Sequence, residues 1–291
     1  MPSFLLKTVQ AYTTFVVYAF EKIQTFGIIF ILTPGYYIIL LTLVRRMLVH
    51  TYDPGLIQQM FDLFISWFGF TNIAGNLMMS VLTDSTVKKA VFSNDTAEYC
   101  AICDIYRPEK SWHCRTCNTC ILKRDHHCVI FSRCIGLLNQ RYYLLYLFYL
   151  PVGIAYFTYY WYYYLVAKQM ANDGQYLNEY HIAIPLLKFI TRSYHTISVL
   201  DLEKFILLIN IGLFIWTLSL FIFHLKNVLQ GQTSYEARIR PINWKLKSLL
   251  DWANWKMRME HVFGIRWYFA IIWPFISSPL PSTAAGFQKM Y

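Results

Sequence analysis

The sequence is poor in charged residues, and this shortage excludes most classes of soluble protein. Only 14% of its 291 residues are charged, and 56% are hydrophobic. In an average soluble protein, roughly a quarter of the residues are charged. So little charge would not cover the surface of a soluble chain of this length. The composition therefore predicts an integral membrane protein.

The chain also lacks the signatures of nucleic-acid-binding proteins, although its formal net charge is +10. No helix-turn-helix, zinc-finger helix or RNA-binding pattern accompanies the basic residues. We therefore expect no nucleic-acid partner and assign the excess positive charge to a membrane surface or a phosphate-bearing ligand. The N-terminal segment also lacks a basic region followed by a small-residue cleavage site, so no cleavable signal peptide is expected.

Charged residues are missing altogether from four long apolar runs. A helix needs about 20 such residues to cross the hydrocarbon core of a bilayer. The runs therefore predict an α-helical polytopic membrane protein with four transmembrane helices. The apolar stretch before them is too short to span and is expected to form an interfacial helix. The four runs cover residues 23–44, 63–82, 142–167 and 205–223.

The basic residues are unevenly distributed, and this asymmetry predicts the orientation. The segments before the first run, between the second and third, and after the fourth hold 20 of the 26 Lys and Arg residues. Because cytoplasmic segments carry the excess of Lys and Arg, both termini and the central segment are expected in the cytoplasm. The predicted organisation is a cytoplasmic N-terminal segment (1–22), transmembrane helices 1 and 2 (23–82), a cytoplasmic domain (83–141), transmembrane helices 3 and 4 with a lumenal loop (142–223), and a cytoplasmic C-terminal region (224–291).

Cysteine is absent outside the predicted cytoplasmic domain, which holds all seven cysteines of the chain. A reducing compartment argues against disulfides and for metal binding. Two C-x2-C pairs each supply two thiolates, and thiolates with imidazoles at tetrahedral spacing favour Zn²⁺. The cysteines are Cys100, Cys103, Cys114, Cys117, Cys120, Cys128 and Cys134.

The number of potential ligands exceeds what two zinc sites need. Three histidines lie among the seven cysteines: His113, His126 and His127. Two closed tetrahedral sites take eight ligands in all. Six cysteines and two histidines would fill two Cys3His sites, so one cysteine and one histidine remain.

Cys128 and His126 are the best candidates for this surplus pair, since Asp125 precedes them. A thiol beside an imidazole that a carboxylate orients is the arrangement of a nucleophilic cysteine. Other interpretations stay open at this point. His126 could support a neighbouring ligand, Asp125 could be a solvated loop residue, and Cys128 could be an alternative ligand.

The run Asp125-His126-His127-Cys128, inside the framework C-x2-C…H-C-x2-C-x2-C…C, resembles the DHHC family of protein S-acyltransferases (palmitoyltransferases). The resemblance implies Cys128 as nucleophile, His126 as base and Asp125 as the residue that orients the base. It also implies two structural Zn²⁺ ions. The implied ligands are Cys100, Cys103, His113 and Cys120 for the first ion, and Cys114, Cys117, His127 and Cys134 for the second.

The resemblance implies a two-step reaction. Cys128 takes a long-chain acyl group from an acyl-CoA such as palmitoyl-CoA, and a cysteine of a substrate protein then takes it from Cys128. The expected partners are the bilayer, acyl-CoA and membrane-proximal proteins with cytoplasmic cysteines, in the endoplasmic reticulum or Golgi membrane. Arg107 and Lys110 match a basic-Pro-x-basic element, and their cations would meet the phosphates of coenzyme A.

Other matches and departures affect rate and packing more than reaction type. The segment Thr233-Ser234-Tyr235-Glu236 resembles the family's TTxE element and also fits a helix capping box. Val129-Ile130 replaces the family's Pro-Trp after the nucleophile.

Three alternative functions stay open. The chain could be a weak or inactive family member, a membrane-anchored zinc module for protein binding, or a transporter, which would need ionisable residues inside its spans.

Overall fold

The computed structural model describes residues 16–17, 19–25, 27, 55–87, 98–108, 110–173, 186–187, 190–191, 198–239 and 252–281. The helices are α1 (Leu56–Leu82), α2 (Gln140–Asp173), α3 (Val199–Leu229), α4 (Ser234–Ile239), α5 (Trp252–Phe263) and α6 (Trp267–Ile272). The strands are β1 (Glu98–Cys100), β2 (Ile105–Arg107), β3 (Trp112–Cys114), β4 (Thr119–Ile121), β5 (His126–Cys128) and β6 (Arg133–Ile135). Residues 16–17, 19–25 and 27 are helical as well.

The chain forms two compact units. One comprises Met1–Pro34, Asn72–Tyr146 and Ile222–Tyr291, and it contains all six strands. The other comprises Gly35–Thr71 and Leu147–Phe221. The core of this second unit is an aromatic and aliphatic cluster in which Phe157, Trp161, Leu165 and Leu207 are buried.

The helices are longer than the apolar runs that predicted them. Helices α1, α2 and α3 contain the second, third and fourth runs. Helix α1 begins before its run and ends with it, whereas α2 and α3 extend past their runs at both ends. Among the described residues, one helix, α3, is long and apolar enough to cross a membrane. Tyrosine hydroxyls lower the hydropathy of α2, which is rich in tyrosine. Most of the first run, 23–44, lies outside the described residues, and helical residues continue across its predicted start.

An ionisable residue lies in α1 just before the predicted second run. The Asp62 carboxylate is buried and accepts hydrogen bonds from the hydroxyls of Tyr156 (3.1 Å) and Tyr160 (2.9 Å). The runs as predicted hold no such residue, but the observed helix does, because helical structure begins at Leu56. Two neutral donors on one carboxylate reduce the cost of its burial.

The six strands form three antiparallel hairpins that repeat along the chain. Hairpin 1 pairs β1 with β2, hairpin 2 pairs β3 with β4, and hairpin 3 pairs β5 with β6. Equivalent positions lie 14 residues apart, as in Cys100, Cys114 and Cys128, each of which ends the first strand of its hairpin. The same loop length and register recur three times.

The turns of the hairpins share a backbone conformation. Asp104, Asn118 and Ser132 precede the second strand of each hairpin and have φ values of 54°, 50° and 50°. Asp and Asn tolerate this left-handed region because their short polar side chains bond to nearby backbone. The positive φ therefore marks the same step in each turn.

Asn139 fastens the hairpins to the neighbouring helix. Its side chain is fully buried, donates to the carbonyls of Ser80 and Cys134, and accepts from the backbone N–H of Gly136 (2.8 Å). The Ser85 hydroxyl adds a further hydrogen bond to Asn139 at 3.1 Å. These contacts join the C-terminal end of α1 to the strand that follows the third turn.

Candidate active site and metal centres

The first metal cluster joins hairpin 1 to hairpin 2. Cys100 and Cys103 come from the first turn, whereas His113 and Cys120 face each other across hairpin 2. His113 Nδ1 lies 3.2 Å from Cys103 Sγ and 3.8 Å from Cys100 Sγ. The sulfurs of Cys103 and Cys120 are 3.7 Å apart.

The second metal cluster repeats this design one hairpin later. Cys114 and Cys117 come from the second turn, and His127 and Cys134 face each other across hairpin 3. His127 Nδ1 lies 3.3 Å from Cys117 Sγ and 3.7 Å from each of the other two sulfurs. Each cluster thus connects one turn to the next hairpin, which is why the ligands interleave along the chain.

Both clusters fit a tetrahedral zinc ion. Ligand atoms about 2.0–2.3 Å from one tetrahedral ion lie roughly 3.5–3.8 Å from one another. The measured separations of 3.2–3.8 Å fall around this range. In each cluster, all ligand atoms lie within 4.8 Å of one another. The two groups contain the same residues as the two sets expected from the sequence.

Cys128 lies outside both clusters and beside His126. Its side chain is buried at the end of β5, two residues after His126 in the same strand, and it is among the groups that raise the pKa of the His126 imidazole. The Nδ1 atom of His126 donates to Asp125 Oδ2 at 2.7 Å. This bond leaves Nε2 of the imidazole for the thiol. Asp125 and His126 therefore form a carboxylate–imidazole pair, and the Cys128 thiol follows in the same strand.

Asp125 is a buried, fully engaged carboxylate rather than a solvated loop residue. It is 4% exposed, and its Oδ1 atom accepts a 2.7 Å hydrogen bond from the backbone N–H of Ser234. Burial alone would raise the pKa of Asp125, but the hydrogen bond and charge of His126, followed by the Ser234 N–H, lower it. Asp125 is therefore ionised at neutral pH.

The same interactions act on the imidazole. Burial would lower the pKa of His126, but its hydrogen bond to Asp125 and the influence of Cys128 raise it to about 9. A protonated imidazole next to a thiol favours the thiolate form of that thiol. The structure therefore places an imidazole that is protonated at neutral pH in the same strand as the cysteine that no metal cluster contains.

A second histidine, His224, completes the surroundings of Asp125. Its Nδ1 atom lies 3.6 Å from Asp125 Oδ2, and its Nε2 atom is hydrogen-bonded to the Tyr143 hydroxyl at 3.0 Å. The rings of His126 and His224 have centroids 5.2 Å apart. Sequence reasoning missed His224 because its distance of almost a hundred residues from Asp125 gives no local spacing signal.

A carboxylate that sequence reasoning also missed supports the second cluster. Glu21 is 4% exposed, and its Oε2 atom lies 3.0 Å from His127 Nε2, on the opposite side of the imidazole from the cluster. A carboxylate in this place fixes the tautomer and orientation of a metal-bound histidine. Glu21 precedes the first predicted span, where the sequence indicated only an interfacial helix.

The two cations expected at coenzyme A each have an acidic partner. Arg107 pairs with Glu98 and stacks over the Trp112 ring at 4.5 Å. Lys110 Nζ lies 3.2 Å from Glu236 Oε1, and the Lys110 side chain is 40% exposed. The Arg107 side chain is 15% exposed. Lys110 is therefore the more accessible of the two.

The segment after α3 packs against the site as a capped helix. The Thr233 N–H donates to Glu236 Oε2 at 2.7 Å, and the Glu236 N–H donates to Thr233 Oγ1 at 3.2 Å. These reciprocal bonds form a capping box at the start of α4. The start of α4 makes two contacts with the site. Glu236 pairs with Lys110, which lies between β2 and β3, and the Ser234 N–H donates to the Asp125 carboxylate.

Comparison with known proteins agrees with this geometry. Residues 93–240, about half of the chain, match the model of the DHHC palmitoyltransferase family. Probable palmitoyltransferase ZDHHC24 of Rattus norvegicus is 26% identical over 225 residues, which cover 75% of this chain and 74% of the relative. Palmitoyltransferase PFA3 of Candida glabrata is 28% identical over 162 residues, or 55% of this chain and 43% of the relative. Palmitoyltransferase erf2 of Schizosaccharomyces pombe is 40% identical over 78 residues, or 27% and 22%. The chain therefore belongs to the DHHC palmitoyltransferases, a family of membrane proteins that act as protein S-acyltransferases.

Proposed function

We propose that Cys128 carries the acyl group, that His126 exchanges protons with the reacting sulfurs, and that Asp125 orients His126. One observation carries this assignment. Of the seven cysteines, six belong to the two clusters, and the seventh lies in the same short strand as an imidazole that a buried carboxylate holds. Counting ligands in the sequence gave one surplus cysteine, and the neighbouring His126 and Asp125 favoured Cys128 for this place.

The first step of the proposed reaction acylates Cys128. The thiolate attacks the carbonyl carbon of the acyl-CoA thioester, and the bond from that carbon to the coenzyme A sulfur breaks. The departing sulfur takes the proton of the His126 imidazolium. Asp125, ionised and hydrogen-bonded to Nδ1, keeps Nε2 directed at the reacting sulfurs.

The second step transfers the acyl group to a substrate cysteine. That thiol gives its proton to His126, attacks the thioester on Cys128, and displaces Cys128 as a thiolate. The regenerated imidazolium stabilises the thiolate again, so the enzyme returns to its starting charge state. Membrane-proximal proteins with cytoplasmic cysteines are the proposed substrates.

We propose that two structural Zn²⁺ ions occupy the clusters. Each cluster supplies three thiolates and one imidazole, which closes a tetrahedral shell and leaves no position for substrate. Zinc bound there supplies rigidity. It ties each turn to the next hairpin and so holds β5, which carries Cys128.

We propose four transmembrane helices with the cysteine-rich domain and both termini in the cytoplasm, in the endoplasmic reticulum or Golgi membrane. The uneven Lys and Arg distribution supports this orientation. Large apolar side chains are exposed along α3, as expected of a helix that faces lipid. The exposed large apolar residues of α3 are Val199, Leu202, Ile206, Ile209, Ile211, Leu213, Ile215, Trp216, Ile222 and Phe223.

Long-chain acyl-CoA is the proposed acyl donor, with Lys110 and Arg107 contacting its phosphates. A phosphate would compete with Glu236 for Lys110 and with Glu98 for Arg107. Since Lys110 is more exposed and its ion pair is not stacked on a ring, it exchanges partners at lower cost. We therefore assign the larger share of phosphate binding to Lys110.

Labelling with an acyl-CoA probe tests the assignment. Purified wild-type protein in detergent, incubated with a long-chain acyl-CoA analogue, should acquire a label that hydroxylamine removes. Cys128→Ser should acquire none and should keep its metal content. An unlabelled wild type, or equal labelling of the Cys128→Ser variant, would exclude Cys128 as the acyl carrier.

A further inference from the structure

The third turn, residues 129–132, differs from the two turns that it repeats. The C-x2-C of the first and second turns places Cys103 and Cys117 in metal clusters. At the equivalent position, 14 residues after Cys117, the third turn has Phe131. The third turn therefore contributes no ligand to either cluster, although its backbone, including the positive φ at Ser132, follows the other two.

Two kinds of contact hold the third turn: the packing of Phe131, and hydrogen bonds from the helical residues near the N-terminus (19–25). One is the burial of Phe131, which is 0% exposed and packs edge-on against the rings of Tyr143 and Tyr146 at centroid distances of 5.6 and 5.2 Å. The other comes from the helical residues near the N-terminus. Lys22 Nζ donates to the Ser132 carbonyl at 3.0 Å.

Thr25 makes the second contact from the N-terminal helix. Its hydroxyl lies 2.9 Å from the Ile130 carbonyl and shares its proton with the Glu21 carbonyl, also at 2.9 Å. Lys22 and Thr25 are three residues apart, so they lie on one face of the helix. That face also carries Glu21, which contacts His127 in the strand before the turn.

Three consecutive contact points thus run along hairpin 3. The N-terminal helix contacts His127 on β5, Ile130 in the turn and Ser132 at its end. Cys128 lies between the first two points. A rigid frame on both sides of a nucleophile keeps it in attacking geometry, and small displacements there are costly for the reaction rate.

We propose that Lys22 and Thr25 are positioning residues for Cys128, and that they do for the third turn what metal ligation does for the other two. A metal ion at the third turn would take the sulfur of Cys128 as a ligand, as it takes the sulfurs of Cys100 and Cys114. Hydrogen bonds to backbone carbonyls hold the same turn and leave that sulfur free to react. The inference rests on the proposed role of Cys128 as nucleophile.

Substitutions of Thr25 test the proposal in the full-length protein. Thr25→Val keeps the volume and removes the donor, whereas Thr25→Ser keeps the hydroxyl. With a long-chain acyl-CoA probe, we expect the single-turnover labelling rate of Thr25→Val to fall about tenfold at saturating probe, because misplacing a reacting group slows the chemical step. Thr25→Ser should keep the wild-type rate, and Ile23→Val, a change on the exposed face of the same helix, should have no effect.

Two further measurements separate positioning from structural damage. Metal content should stay at that of wild type in Thr25→Val and in Lys22→Met, and half-saturation by the probe should not change. Amide hydrogen exchange should accelerate in peptides that cover residues 129–133 and not in those that cover the first two turns.

Equal labelling rates and equal hydrogen exchange in Thr25→Val and wild type would overturn the proposal. So would metal loss shared by Thr25→Ser and Thr25→Val, since it would assign Thr25 to folding alone. Failure of the Cys128 assignment is distinct, because Cys128→Ser would then still be labelled.

Discussion

The two metal clusters have the same ligands but different surroundings. The first lies against an apolar cluster of Val87, Leu122 and Leu137, and within the described part of the chain no carboxylate contacts its histidine, His113. The second has Glu21 on its histidine and shares hairpin 3 with the proposed nucleophile. From this comparison we infer that one ligand pattern serves two purposes: the first cluster would hold the domain together, and the second would also fix the strand that carries Cys128.

The largest expected effect comes from removing a ligand of the second cluster. Cys134→Ala should lose one metal ion and all acyl labelling, because Cys134 pairs with His127 across the hairpin that holds Cys128. Zinc content by mass spectrometry of the native protein and labelling with an acyl-CoA probe measure the two effects. A structural zinc site contributes on the order of 10 kcal/mol to folding, so the thermal midpoint should fall as well.

Removal of a ligand from the first cluster is the matched control. Cys100→Ala should also lose one ion, but it should retain part of the labelling, because hairpin 3 contributes no ligand to that cluster. Equal and complete loss of labelling in Cys100→Ala and Cys134→Ala would show that the two clusters are functionally equivalent, contrary to the comparison.

The next largest effect is expected at Asp125, where a substitution should change the labelling rate without changing the metal content. Asp125→Asn should slow acyl labelling on the order of 10³-fold while both metal ions remain, because the amide cannot hold the His126 imidazolium as the carboxylate does. Single-turnover labelling and zinc content are the measurements. Asp104→Asn, a change in the first turn at an exposed carboxylate with positive φ, is the control and should keep the wild-type rate. Metal loss in Asp125→Asn would instead make Asp125 part of the second cluster.

A smaller effect is expected at the carboxylate that distinguishes the clusters. Glu21→Gln should make a chelator extract the second ion roughly tenfold faster, because a carboxylate on a metal-bound histidine strengthens and orients that ligand. Extraction followed with a chromogenic chelator should show one fast and one unchanged phase. Glu98→Gln, near the first cluster but in contact with Arg107, should leave both phases unchanged. Two phases identical to those of wild type in Glu21→Gln would remove the proposed difference in support.

The smallest expected effect is on the affinity of the protein for the acyl-CoA donor. Lys110→Ala should raise the acyl-CoA concentration for half-maximal labelling about threefold to tenfold, because an exposed cation contributes modestly to phosphate binding. Arg107→Ala should instead lower thermal stability near the first cluster, since Arg107 is packed on Trp112 and paired with Glu98. Lys256→Ala is an exposed-lysine control that should change neither quantity. The reverse pattern in the two variants would exchange the roles assigned to Lys110 and Arg107.

Much of the candidate site follows from short-range spacing. The C-x2-C pairs and the interleaved histidines indicate two tetrahedral sites, and counting them leaves one cysteine and one histidine over. The neighbouring His126 and Asp125 then favour Cys128 as the surplus cysteine. The 14-residue repeat of Cys100, Cys114 and Cys128 is also present in the sequence. This repeat predicts three similar hairpins and identifies Phe131 as the residue at the position where the other two turns have a ligand. Strands of three residues are too short for hydrophobic periodicity to reveal them.

The helices were predicted less precisely than the ligands. Apolar runs located α1, α2 and α3, but they missed the polar turns at the helix ends, because hydropathy measures transfer into lipid and not helix formation. Asp62 shows the consequence, since an ionisable residue ends an apolar run but does not end a helix. Lys22 was assigned to the cytoplasmic N-terminal segment and Thr25 to the start of the first transmembrane run, and the structure adds the contacts of both residues with hairpin 3.

The sequence by itself determined that this is a membrane protein of the DHHC type, and it predicted which residues would bind two metal ions and which cysteine would be left for chemistry. These features depend on composition and on spacings of a few residues, which the local chain geometry converts directly into proximity. Only the tertiary structure decided what surrounds that cysteine. Glu21, Lys22 and Thr25 contact hairpin 3 from more than a hundred residues away, and His224 reaches Asp125 from nearly as far. Such contacts arise when separate elements pack together, and no local pattern records the partner that packing supplies.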